Sequence, residues 1–169
     1  MEGKRTQIKK TNNNLIKRII AIIAIIVVIF ILVTIITSKK ILLTSNNKII
    51  TLNYSSFNFQ EGEKSETRSK IESKEEEIIA EVKENKLESY DIFRDYCIMA
   101  YKGENEEYNK IPCFYYYDEI QNQYVVISKV DEQKYVEINV KAKENVNKNA
   151  NEIFNKKEVQ NVLKTLEIK

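Results

Sequence analysis

Two cysteines and a run of aromatic residues are the side chains whose types and spacing could carry chemistry. Cys97 and Cys113 flank a polar segment that centres near Asn105. If the flanking segments pair as an antiparallel hairpin about that centre, cross-strand partners have residue numbers summing to about 210, as 97 and 113 do. The two sulfurs then face one another within reach of a disulfide. The competing reading is two small apolar residues in a buried core. No Cys-x-x-Cys spacing occurs, so the sequence gives no support to thiol redox catalysis.

The second group is Phe114-Tyr115-Tyr116-Tyr117. Strand alternation sends Phe114 and Tyr116 to one face and Tyr115 and Tyr117 to the other. With Tyr124 and Tyr135 nearby, the residues Tyr115, Tyr117, Tyr124 and Tyr135 form a candidate recognition patch for a protein or a polysaccharide. The alternative is that the rings pack beneath helices on both faces. Asn53-Tyr54-Ser55 is an N-glycosylation sequon, relevant only in a glycosylating secretory pathway.

The missing residue types exclude more than the present ones suggest. The chain has no histidine, which removes Ser-His and Cys-His nucleophile pairs, histidine zinc sites and imidazole acid–base catalysis. Two cysteines cannot build a four-thiolate metal site, and no phosphate-cradling glycine motif occurs. No cofactor or metal is expected. Carboxylate acid–base chemistry is the enzyme class that remains, but no acidic pair stands out among 25 Asp and Glu residues. Residues 1–18 carry six basic side chains (Lys4, Arg5, Lys9, Lys10, Lys17 and Arg18) against Glu2, leaving 21 basic and 24 acidic residues in the rest. That body has no basic stripe for neutralising phosphates, so nucleic acid is not an expected partner.

What must position these residues begins with an apolar run. Ile19 to Ile36 carries no charge, and Thr34 is its only polar residue. At 1.5 Å per residue it reaches roughly the thickness of a bilayer core, and in lipid only a helix satisfies its backbone. The run exceeds the apolar region of a secretory leader, and Thr37-Ser38-Lys39-Lys40 after it offers no small-x-small cleavage pattern. It therefore predicts a retained single-pass anchor in the bilayer. The six basic residues before it, against Lys39, Lys40 and Lys48 after it, place the N-terminus in the cytoplasm and the remainder outside. The expected division is a basic tail at 1–18, a transmembrane helix at 19–37, a stem at 38–48 and an extracytoplasmic domain at 49–169.

Within that domain, Ile49 to Phe59 has strand composition with a phase slip at Ser55–Ser56, and the following EGEKSETRSKIES predicts a polar loop. Ser73 and Glu76 fit a capping box, so a helix is expected through Ile78, Ile79, Val82 and Leu87. Four strands follow, at Tyr90–Lys102, Ile111–Tyr117, Tyr124–Val130 and Tyr135–Lys141, joined by short connectors that make antiparallel hairpins. A last helix is expected with Asn155 and Glu158 at its start and Val159, Val162, Leu163 and Leu166 as its apolar stripe. The fold class is α+β: one N-terminal transmembrane helix, then an antiparallel sheet packed with helices.

The aromatic alternation over Tyr54–Phe59, the tyrosine-rich hairpins and the closing EVQNVLKTLEIK (Glu158–Lys169) resemble the PsbP-like fold. The resemblance spans residues 49–169. It implies an antiparallel sheet between helices, a last helix that runs into a short terminal strand, and a membrane-tethered envelope protein without catalysis. The Pro-x-x-Trp often expected after that family's first strand is absent; Gln60-Glu61-Gly62-Glu63 stands there. Cystatin-like and PepSY-like modules share the helix-then-meander order. No functional residue transfers from any of them. The expected role is a non-catalytic interaction or accessory module of the cell envelope. A membrane subunit of a secretion or conjugation machine and a carboxylate hydrolase are the alternatives.

Overall fold

The computed structural model describes residues 2–169, with side chains from Leu15 onward. Two compact units emerge, Met1–Ser38 and Lys39–Lys169. The first is a single helix, α1 (Glu2–Thr37). Its stretch Leu15–Thr37 has 23 residues, a mean hydropathy of 3.7 and no buried side chain, and is long and apolar enough to cross a membrane. A signal sequence at this position has the same character. The hydroxyls of Thr34 and Thr37 donate to the carbonyls of Phe30 and Val33, each at 2.8 Å, so the span's polar groups are satisfied internally. The side chains of Lys4, Arg5, Lys9 and Lys10 lie outside the described ones.

The second unit is built on a seven-stranded, wholly antiparallel sheet. Its strands are β3 (Gln60–Lys64), β4 (Arg68–Glu72), β5 (Glu76–Glu84), β6 (Glu104–Tyr108), β7 (Ile111–Asp118), β8 (Gln123–Lys129) and β9 (Lys134–Ala142), in the order β3-β4-β5-β9-β8-β7-β6. Two meanders thus meet where β5 pairs β9 over nine residues, from Glu76↔Ala142 to Glu84↔Lys134. The chain must cross one face of the sheet to pass from central β5 to edge strand β6, and α2 (Tyr90–Tyr101) makes that crossing. A smaller sheet, β1-β2-β10, joins β1 (Ser38–Ser45) and β2 (Lys48–Ser55) to β10 (Glu167–Ile168). With α3 (Ala150–Phe154) and α4 (Lys157–Leu163) it covers the other face.

Alternation along β9 assigns the two faces. Val136, Ile138 and Val140 enter the main core, with Ile78 and Ala80 of β5, Leu43 and Ile50 of the small sheet, and Val159 and Leu163 of α4. Tyr135 points the opposite way into a second core, with Tyr90, Cys97, Phe114, Val125 and Ile127 under α2. The sheet is therefore sandwiched, as its two apolar faces require.

Four expected elements are corrected. Residues 38–48 are not a stem but β1 and its turn into β2; Ile41 and Leu43 are buried at 2% and 0% exposure, so the fold begins where α1 ends. The polar segment after Phe59 is the β3–β4 hairpin. The helix expected after Ser73 is the central strand β5. Ser73 does accept the amides of Glu75 and Glu76 at 3.1 and 3.2 Å, so the local capping chemistry forms. Pairing with β4 and β9 on both sides then outweighs helix propensity. The strand expected at Tyr90–Lys102 is α2, capped by Ser89, whose Oγ accepts from the Ile92 amide. The helix ends at Tyr101 with Lys102 as its left-handed cap, and a Cβ on the Gly103 that follows would lie 3.0 Å from the Tyr115 carbonyl oxygen. The expected last helix divides into α3, capped by Asn149, and α4, and Val159, Val162, Leu163 and Leu166 are all buried as read.

An ion-pair cluster fastens α3–α4 to the start of β5. Lys156 reaches Glu75 at 2.5 Å and Glu76 at 2.6 Å, and Lys148 also reaches Glu75 at 2.5 Å. Hydrogen bonds from Lys148 and Lys156 hold the Glu75 carboxyl down at about 2. A depressed carboxyl stabilises the fold above its unfolded value and loses that contribution as pH falls toward the folded one. Glu75→Gln is therefore expected to flatten the acid limb of the stability curve between pH 4.5 and about 2, followed by circular dichroism.

Candidate functional site

The four tyrosines of the expected patch do not share one surface. Tyr115, Tyr117 and Tyr124 lie on the main-core face, where β7 and β8 pair Tyr117 with Tyr124. Their rings gather around Phe154 of α3: Tyr124 stacks on it at 4.3 Å and Tyr115 lies at 5.3 Å. The hydroxyls are engaged as well, Tyr115 with Glu104 at 2.7 Å, Tyr117 with Asn122 at 2.8 Å and Tyr124 with Asn151 at 3.0 Å. The hydrogen bond to the Glu104 carboxylate pushes the Tyr115 phenol up to about 12. Tyr135 sits across the sheet, buried, and stacked on Phe93 at 4.5 Å. The helices cover both faces, and of the four rings only Tyr117 is exposed.

The cysteines are free and buried. Cys113 shares the face of Tyr115 and belongs to the main core, while Cys97 belongs to the core beneath α2. The sheet lies between them, and the hairpin that would have joined them does not form. Cys113 instead pairs with Glu106 and Ser128. Burial pushes both thiols up to about 11, the opposite of a reactive cysteine. Without reductant, both thiols are expected to react with a maleimide after denaturation and neither to react in the native chain. A disulfide would leave none to react in either state.

A cleft of about 630 Å³ lies between the start of α2, strands β6–β8 and the β2–β10 end of the small sheet. Ile111, Val130 and Ile168 supply apolar wall, and Asp91, Asp131 and Glu132 bring three carboxylates to its rim. Each carboxylate is already engaged. Asp91 pairs with Arg94 at 3.0 Å, Glu132 pairs with Lys129, and Asp131 accepts from the Gln133 amide at 2.8 Å. Lys129 and the Tyr90 amide hold the Glu132 carboxyl below its ordinary range. A general acid needs the reverse shift. Among the described residues, no group of three or more His, Cys, Asp or Glu could hold a metal ion.

Neither this cleft nor the exposed stripe of α2 was legible from the sequence. The stripe, Ile92, Tyr96 and Met99, has helical spacing and follows a Ser89 cap, which is the signal that could have revealed it. Comparison with protein-family models, with curated proteins and with solved structures finds no match to this chain.

Proposed function

We propose that the chain is a single-pass membrane protein that displays a non-catalytic α+β module outside the cytoplasm, for interaction within the cell envelope. The observation that carries this reading is the apolar helix Leu15–Thr37, with no buried side chain, followed in sequence by a folded strand from Ser38. A hydropathy of 3.7 over a bilayer's length favours insertion, and the basic residues Lys17 and Arg18 before it favour a cytoplasmic N-terminus. The non-catalytic part is supported by carboxylates tied to lysine and arginine, and by thiols held in their neutral form.

The test is fractionation of cells expressing the full chain, with an alkaline carbonate wash and an intact mass on the product. The expected result is the unprocessed chain in the washed membrane pellet. A trimmed chain in the soluble fraction would overturn the reading. The carboxylates at the cleft rim give the hydrolase alternative its one foothold. Retained hydrolysis of a chromogenic ester or glycoside panel by wild type, abolished in Asp131→Asn, would favour it.

A further inference from the structure

The solvent face of α2 carries Ile92, Tyr96 and Met99 at 49%, 61% and 83% exposure. Their four-then-three spacing is that of a helix-pairing seam. The opposite face of the helix is committed to the sheet: Tyr90 and Cys97 are buried and Phe93 stacks on Tyr135. The seam is therefore an unpartnered second face of a packed helix. Its two ends carry opposite charge. Glu88 precedes the Ser89 cap and Lys102 closes the helix, and neither has an ion-pair partner among the described residues. Asp91 and Asp95, between them, are held by Arg94 at 3.0 and 2.9 Å.

We propose that α2 is a self-docking surface whose occupant is the α2 of a second copy, packed antiparallel about a two-fold axis near Tyr96. A twelve-residue helix is about 18 Å long, and reversing one copy against the other brings each Lys102 to the partner copy's Glu88 end. The parallel arrangement would set like charge on like and align the helix dipoles unfavourably. Ile92 and Met99 then flank Tyr96 from both copies, so one contact repeats itself at both ends. Three apolar side chains per copy make a small interface. Confinement of both copies to one membrane supplies the effective concentration that a small interface needs, and to that extent the proposal rests on the display reading.

The test is cross-linking of the full chain in its membrane with a short bis-maleimide. The wild-type cysteines are buried, so Tyr96→Cys reports the axis and Phe57→Cys, 73% exposed on the β2–β3 turn, is the control. Tyr96→Cys is expected to give a cross-linked dimer and Phe57→Cys none. Adding Glu88→Lys should lower the dimer yield on the order of tenfold, as two ion pairs become two repulsions. Adding Lys102→Glu to that chain should restore it, because the ends are complementary again. No Tyr96→Cys dimer from a chain found in the washed membrane pellet would sink this proposal while leaving the display reading intact. So would a dimer indifferent to both charge changes, which would mark pairing through α1, or an adduct of Tyr96→Cys with a different protein.

Discussion

Replacing Leu43 by alanine is expected to cost the folded unit about 2–5 kcal/mol of unfolding free energy, the range for truncating a buried leucine. Leu43 has no exposed surface and packs in the main core, although it lies only six positions beyond the last residue of α1. The variant separates two accounts of this segment. A stem that merely links an anchor to a domain would tolerate the change with no measurable effect. A strand that closes the core over β5 and β9 would not. Denaturant unfolding of the full chain in detergent, followed by near-ultraviolet circular dichroism of its tyrosines, reads the difference. Leu42→Ala is the matched control, since Leu42 is 40% exposed on the opposite side of the same strand, and it should shift stability by well under half as much.

The second large effect concerns α1. Placing lysine at both Ile23 and Ile26, near the middle of Leu15–Thr37, adds about 2.5–3.5 kcal/mol per charge to the cost of membrane insertion. On the membrane placement proposed above, the sum of about 5 kcal/mol or more opposes insertion directly. The expected outcome is transfer of the product from the washed membrane pellet to the soluble fraction. The Lys39–Lys169 unit should remain folded there, because the main core and the core under α2 are made of its own residues. Unchanged retention would mean that the span is not what holds the protein.

The order of elements was readable where pairing is local. Strands β7, β8 and β9 follow one another through short turns, and in β9 the alternation of Val136, Ile138 and Val140 against Tyr135, Glu137 and Asn139 is plain in the letters. The apolar stripe of α4 was equally plain. Failure came where distant segments decide. Glu76–Glu84 has charged, helix-favouring composition and a genuine serine cap, yet β4 and β9 take it as the central strand. Nothing within the segment announces that β9, fifty residues later, will pair with it. Residues 90–101 show the converse. Tyr, Ile, Phe and Cys suggest a strand, but the chain must cross from β5 to the far edge of the sheet, and a helix capped by Ser89 does so while burying one face.

The candidate site inherited those errors. The Cys97–Cys113 bridge depended on a hairpin that does not exist once residues 90–101 are helical, and the sheet then separates the thiols. The tyrosine patch failed more gradually. Alternation correctly divided Phe114 and Tyr116 from Tyr115 and Tyr117, but which face stays open depends on where α2 and α3 land. The seam on α2 became visible only when that segment proved to be a helix with one face left in water.

We propose that an intact N-terminal helix holds the folded unit on the far side of the membrane. Ile120, in the β7–β8 turn, is 95% exposed, while both native thiols are buried, so Ile120→Cys puts a single accessible thiol on that unit. A membrane-impermeant maleimide applied to intact cells should label this variant fully and leave the wild type unlabelled. Labelling of Ile120→Cys only after the cells are lysed would put the folded unit in the cytoplasm and rule out its display outside.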